Sequence, residues 1–192
     1  FRRVLFRSTT TPEFTVQAAS GGRFTLGIGL SHQLVIENMF GYSFDKPVRH
    51  MREYLSILMP LLHGKPADFD GETLHAHGSV DVPGATPPQV AIAALGEQML
   101  RLAGTHTEGT VTLMTGPATI EAHTAPIINK AAADAGRPAP RVAVSLPVCV
   151  TDDPDAAKSL AAQVFLMYGM LPSYRAMLDR EGAEGPSDVA IR

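Results

Sequence analysis

The chain has 192 residues, 45% of them hydrophobic and 18% charged, with a formal net charge of −3 and a single cysteine, Cys149. Such a length suits one sizeable core, and the ordinary apolar fraction excludes a disordered or low-complexity polypeptide. One cysteine excludes an internal disulfide, mild acidity argues against a nucleic-acid surface, and there is no run of about 18 uncharged apolar residues to span a bilayer.

In chain order, Phe1-Arg2-Arg3-Val4-Leu5-Phe6-Arg7-Ser8 reads as a translated sequencing adaptor. It fails as a signal peptide, having neither an apolar core segment nor a small-residue cleavage site. Without it, three of the 16 basic residues are foreign and the net charge becomes −6. The far end, Ser187 to Arg192, breaks off where a new apolar run begins. The expectation is an internal piece of a longer protein, with residues 9–192 forming one incomplete domain.

Thr15 to Ser20 has the look of a helix tail closed by Gly21-Gly22, since glycine readily takes the left-handed conformation that ends helices. Phe24 to Gly29 is a short apolar strand. Asp45 is expected to cap a long helix with Pro47 in its first turn and Gly64 at its end. Val48, Met51, Leu55, Leu58 and Leu62 form its apolar stripe, and Pro60 is a candidate kink. Residues 65–89 break the rhythm and read as an insertion with a small hairpin.

Strict alternation then resumes. Strands are expected at Val90–Leu95, Gly109–Thr115 and Arg141–Thr151. Helices are expected at Gln98–Ala103, Ile120–Ala135 and Pro154–Met170, the last capped by Asp153, with a further short helix from Pro172-Ser173. Apolar strands alternating with helices mean buried parallel strands. Two architectures fit, a doubly wound open sheet or a stretch of an eight-fold barrel. A complete barrel needs about 250 residues, so about four units would make roughly its second half.

In both architectures ligands sit at the carboxyl ends of strands. The four ends are Gly29-Leu30-Ser31-His32, Leu95-Gly96-Glu97-Gln98, Met114-Thr115-Gly116 and Val150-Thr151-Asp152. At the first, glycines admit close approach, and Ser31 and His32 offer a hydroxyl and an imidazole. The plainer reading is a tight corner with His32 bonded to a backbone carbonyl. It is no dinucleotide fingerprint, because the third glycine is missing and the helix starts late. At the second, the strand ends at Gly96 and a helix follows at once. Its free N–H groups make a phosphate site that needs no lysine, or an ordinary turn that binds nothing. Glu97 would repel an anion unless its side chain turns away.

Other residues carry less. His75 and His77 share one strand face, as metal ligands do, yet read better as a solvated hairpin without a third ligand. His106 falls on the side remote from the strand carboxyl ends. Cys149, inside the apolar run Leu146 to Val150, is expected as a buried core thiol. The eight methionines read mostly as helix-borne core filler.

Ser20-Gly21-Gly22-Arg23-Phe24-Thr25-Leu26-Gly27-Ile28-Gly29, followed by a long helix with Arg49 and Arg52-Glu53, resembles the luciferase-like monooxygenase superfamily. Ala93-Ala94-Leu95-Gly96 through Arg101-Leu102-Ala103-Gly104 is similar to its phosphate-loop strand and helix. His106-Thr107-Glu108-Gly109 stands where the family has His-Ala-Asp-Gly. Gly29 to His32, and Arg141-Val142 leading to Leu146-Pro147-Val148-Cys149-Val150, are most similar to the actinobacterial branch that uses coenzyme F420, a deazaflavin. The match runs from about Thr11 to the end.

The resemblance implies a partial (β/α)8 TIM barrel, roughly strands 4 to 7 with their helices, and an F420-dependent oxidoreductase. Hydride would pass between the deazaflavin and a carbonyl, imine or activated double bond of a small-molecule substrate. Gly29, Ser31 and His32 would line the ring or ribityl region, with His32 a proton donor. Ala94, Leu95, Gly96, Glu97 and Gln98 would hold the phosphate. No metal, nucleic acid or membrane is expected. A cytoplasmic location is expected, and a homodimer is left open for the full-length protein. The first three strands and the last are missing from the family pattern, so the 192-residue piece is expected to bind F420 weakly and to be inactive. Two alternatives stand, an FMN-dependent monooxygenase of the same fold and a noncatalytic binding paralogue.

Overall fold

The computed structural model describes residues 12–80, 84 and 86–189, so the adaptor-like segment 1–8 lies outside the described residues. The chain packs as two compact units that meet in sequence between Ala91 and Ile92, and each is described by itself.

The first unit opens with α1, residues 12–19, which runs into Gly21 and Gly22 at φ 61° and 83°. Gly22 N donates to Gln17 O at 2.9 Å, so the two glycines turn the chain out of the helix as expected. Gln17, 4% exposed, then holds the next segment in place. Its Oε1 accepts the Phe24 N–H at 3.0 Å and its Nε2 donates to Pro87 O at 3.3 Å. Strand β1 is Thr25–Ile28, and a short helix α2, Gln33–Asn38, follows it. The sequence reading missed α2, which buries no residue and so shows no apolar period.

Helix α3 spans Pro47–Leu62 and buries Met51, Leu55, Leu58 and Leu62 of the expected stripe, with Val48 only half-buried, and Ile57 and Leu61 besides. Its N-cap is not Asp45. Lys46 occupies that position at φ 53° with no side-chain cap, while the Asp45 carboxylate accepts the Ser43 hydroxyl at 2.7 Å. The left-handed turn at Lys46 moves the boundary on by one residue, and Pro47 at the first position needs no N–H partner. Pro60 lies within the helix, which continues to Leu62. Strands β2 (Ala67–Asp70) and β3 (His75–Gly78) pair antiparallel in the register Ala67↔Gly78 to Asp70↔His75. The hairpin expected in 65–89 is therefore present, and Ala67 and Leu74 pack in one cluster with Ile57 and Leu61 of α3.

The second unit takes up the end of β4 (Gln89–Ala93), followed by α4 (Glu97–His106) and β5 (Gly109–Leu113). Then come α5 (Pro117–Thr119) and α6 (Ala125–Asp134), joined through a π-helical turn, Ile120–Thr124. The chain continues with β6 (Arg141–Ser145), α7 (Pro154–Val164), α8 (Leu166–Met170) and α9 (Pro172–Arg180). The strand order is β4-β5-β6, and β5 and β6 are parallel from Gly109↔Arg141 to Leu113↔Ser145. Helices α4 and α6 approach closely at Gly104, where a Cβ would sit 2.5 Å from the Ile128 carbonyl oxygen. Leu100, Leu102 and Ala103 face the interior from α4, as do Ile128, Ala131 and Ala132 from α6.

Three expectations change here. The strand expected over Arg141–Thr151 stops at Ser145, and Cys149 is exposed, not buried. β6 ends the strand order among the described residues, and the apolar stretch 146–150 that follows it is exposed. The helix expected over Pro154–Met170 breaks at Phe165, which leaves helical geometry at φ −100° and ψ 8°. That break brings Gly169 against the Pro186 carbonyl, where no Cβ would fit. Asp153 does cap α7, its Oδ1 accepting the Ala156 N–H at 3.0 Å.

Candidate functional site

In the first unit, Gly29 and Ser31 follow β1 and are exposed, with Ser31 in the left-handed region at φ 61°. A non-glycine residue there costs backbone energy and is met most often at functional turns. His32 is half-buried at the N-cap of α2, its carbonyl accepting the N–H groups of Val35 and Ile36 at 3.0 and 2.9 Å. Burial disfavours the imidazolium and holds the His32 pKa below its ordinary value. The ring therefore stays neutral further into the acid range, a form that still donates one N–H.

The second unit contains the β4–α4 turn. Ala94 is 1% exposed, and its N–H is received by the Thr110 hydroxyl oxygen at 3.1 Å, while that hydroxyl donates to Ile92 O at 2.8 Å. Thr110 on β5 thus fixes the strand end. Leu95 is half-buried, and its carbonyl accepts a 2.8 Å hydrogen bond from His123 Nε2. Gly96 is the N-cap, at φ −77° and ψ 154°, with no side-chain cap. Its own carbonyl takes the first helical bond, from Leu100 N at 2.9 Å.

Gly96, Glu97 and Gln98 are exposed, and the first N–H groups of a helix have no partner inside it. Glu97, which would repel an anion, is drawn along the helix. Its Oε1 accepts from Arg101 Nε at 3.1 Å and Nη2 at 2.6 Å, and this pairing lowers its pKa. The conformation at Gly96 is one any residue adopts, and a Cβ there would meet nothing within 4 Å. Neither strain nor crowding inside the fold demands this glycine. A group approaching the backbone from outside would. The turn thus has open backbone donors at a positive helix end, clear space above its glycine and an acid drawn away into an ion pair with Arg101, features that suit an anionic phosphate.

At the third strand end, Met114 is 2% exposed and left-handed at φ 55°, and Gly116 begins α5. The fourth expected end, Val150-Thr151-Asp152, is not a strand end, because β6 stops at Ser145 and these residues lie exposed beyond it. His77 lies between two aspartates, Nδ1 2.7 Å from Asp68 Oδ1 and Nε2 3.2 Å from Asp70 Oδ1, which raise its pKa. The hairpin reading holds, and the two cross-strand aspartates are what sequence spacing did not reveal. No group of three or more His, Cys, Asp or Glu among the described residues is placed to hold a metal ion. His106 closes α4, bonded to the Thr105 hydroxyl at 2.7 Å. Sequence reasoning missed His123, whereas Met114 belongs to the third expected strand end. Nothing in the spacing marks His123, which sits within an alanine-rich helical stretch. No helix among the described residues is long and apolar enough to cross a membrane.

Residues 14–190 match the family model described as luciferase-like monooxygenase. The 5,10-methylenetetrahydromethanopterin reductase of Archaeoglobus fulgidus is 30% identical over 181 residues, 93% of this chain and 53% of that protein. Its counterpart in Methanolobus tindarius is 30% identical over 173 residues, 90% of this chain and 52% of that protein. Among solved structures, the coenzyme F420-dependent tetrahydromethanopterin reductase of Methanopyrus kandleri superposes with a TM-score of 0.70 at 23% identity, covering 92% of this chain and 56% of the other. The fold is therefore the expected α/β fold with a parallel sheet, matching part of a barrel of this type. The chain spans about half the length of the curated relatives it matches.

Proposed function

The chain belongs to the luciferase-like monooxygenase family, and on that premise we propose that it is part of an F420-dependent oxidoreductase whose deazaflavin phosphate is held at the β4–α4 turn. The observation that carries this reading is the turn itself, with an open Gly96 and Glu97 paired to Arg101. When bound, F420 supplies a hydride-transferring ring carbon, so the protein has only to bind, orient and exclude water.

The residues present suit that role. Backbone N–H groups at Gly96, Glu97 and Gln98 bind the phosphate, and the helix dipole of α4 favours its charge. Ala94, locked by Thr110, fixes the strand from which the turn leaves. Gly29, Ser31 and His32 are assigned to the ring or ribityl region, and His32 to donating a proton to the accepting atom of the substrate. The substrate class is a small organic molecule bearing a carbonyl, imine or activated double bond. Relatives named as reductases of a small organic molecule fit that class.

The FMN-dependent reading has less support. The phosphate turn would suit either cofactor, and the preference rests on the proteins described above, which include a reductase named for F420. Anaerobic titration and turnover of the full-length protein with F420 and with FMN test the proposal. Binding and turnover with F420 alone support it, and tight FMN binding with oxygen-dependent consumption of reduced flavin overturns it.

A further inference from the structure

We propose that His123 is a positioning residue for the phosphate-binding turn, holding the Leu95–Gly96 peptide so that the Gly96 N–H is presented for anion binding. This rests on the phosphate reading above. His123 is 8% exposed and lies in the π-helical turn Ile120–Thr124, a widened turn that interrupts an otherwise α-helical stretch and is met often at functional sites. Its Nε2 lies 2.8 Å from the Leu95 carbonyl oxygen. A carbonyl only accepts, so Nε2 carries the proton and the ring is the donor.

Peptide geometry converts that bond into an orientation. The peptide is planar and trans, so its C=O and N–H point in opposite directions. Drawing the Leu95 oxygen toward His123 therefore turns the Gly96 N–H away from His123. The glycine makes such a clamp necessary. Rotation of the Leu95–Gly96 peptide changes φ at residue 96, and a residue without Cβ accepts positive φ about as readily as the observed −77°. A turn made open enough for a phosphate is thus also free to flip, and the His123 bond opposes the flip. Thr110 secures the neighbouring Ala94 N–H at 3.1 Å but does not reach the Leu95 carbonyl.

The test compares His123→Leu, which removes the donor, with His123→Gln, which keeps an N–H donor, in the full-length protein. Three quantities are read: the Gly96 amide resonance in glycine-labelled protein, the Kd for F420, and Tm. The expected result for His123→Leu is a displaced or broadened Gly96 amide and a Kd raised about ten-fold, the scale of one oriented hydrogen bond. His123→Gln should recover most of both, which a purely space-filling role would not permit. An unchanged Gly96 amide in a folded His123→Leu variant overturns the proposal. If His123→Leu does not fold, His123→Gln decides alone, and a Gly96 amide and Kd both near wild type support the role while displacement of both overturns it. Gly96→Val separates the two readings. If it leaves F420 affinity unchanged, the phosphate assignment falls and with it the anion-presenting part of this proposal, whereas the amide resonance still decides whether His123 orients the peptide.

Discussion

Glu53 accepts both the backbone N–H and the hydroxyl of Thr73, at 2.7 and 2.6 Å. The same carboxylate takes the N–H groups of Glu72 and Leu74 at 3.0 and 2.9 Å, so one helix side chain gathers the whole tip of the β2–β3 hairpin. Lys46 and Arg49 of the same region pair with Glu72 and His50 Nδ1 lies 3.0 Å from the Thr73 hydroxyl, but these contacts are more exposed. The anchor is the buried carboxylate.

Acid should therefore weaken the first unit through Glu53. Burial by itself would raise the pKa, but the bonds from Thr73, Leu74 and Glu72 outweigh it and bring the group down to about 2, from an ordinary 4.5. A lowered pKa in the folded state means the unfolded chain binds the proton first as pH falls. The stabilisation is fully present above about pH 4.5 and is lost progressively toward pH 2. Glu53→Gln should cost about 2 kcal/mol at neutral pH, because an amide cannot accept all four bonds. It should also flatten the acid limb of a denaturation series. A wild-type slope in that variant would assign the acid sensitivity elsewhere.

Gly96→Val should leave Tm nearly unchanged and raise the Kd for F420. A β-branched residue is at ease in extended backbone, and its Cβ meets no atom within 4 Å. Isothermal titration alongside thermal melts checks both halves. Loss of Tm would show that the glycine serves the fold.

Gly104→Ala should behave in the opposite way. Its Cβ would lie 2.5 Å from the Ile128 carbonyl oxygen and 3.0 Å from the Ala131 Cβ, so α4 and α6 must move apart. Overpacking of this kind costs about 1–3 kcal/mol, measurable by urea denaturation.

Thr112 and Thr124 are fully buried, yet their hydroxyl oxygens have no hydrogen-bond partner among the described residues. Replacing either by valine removes an unsatisfied polar group at nearly constant volume. Such substitutions should be neutral or should raise Tm. A clear loss of stability would place an ordered water on the hydroxyl.

The parts of this fold legible in the sequence are those with a strong local signature. The apolar stripe of α3, the Asp153 cap and Pro154 of α7, and the Gly21-Gly22 stop are each set by neighbours close in the chain, and the structure has all three. What stayed hidden depends on residues far apart. Cys149 sits in an apolar run and so reads as core, but the strand stops at Ser145 and no described element covers the residues that follow. The Asp68 and Asp70 partners of His77 appear only once β2 and β3 are in register. Within the candidate site, Leu95 to Gln98 was legible because a strand ending directly in a helix has a fixed electrostatic consequence. His123 was not, since 28 residues separate it from Leu95 and no pattern links the two.

The donors at the β4–α4 turn are main-chain groups, and every residue except proline carries the same one. As far as those donors are concerned, most residues other than proline would serve at positions 97 and 98, provided that any acid there is drawn aside as Glu97 is by Arg101. Side-chain drift at these two positions would leave the donors intact, and their order along the chain would still be enforced by the helix. A site of this kind would be lost more readily by a proline at 97 or 98, which removes a donor, than by most other changes of side chain there.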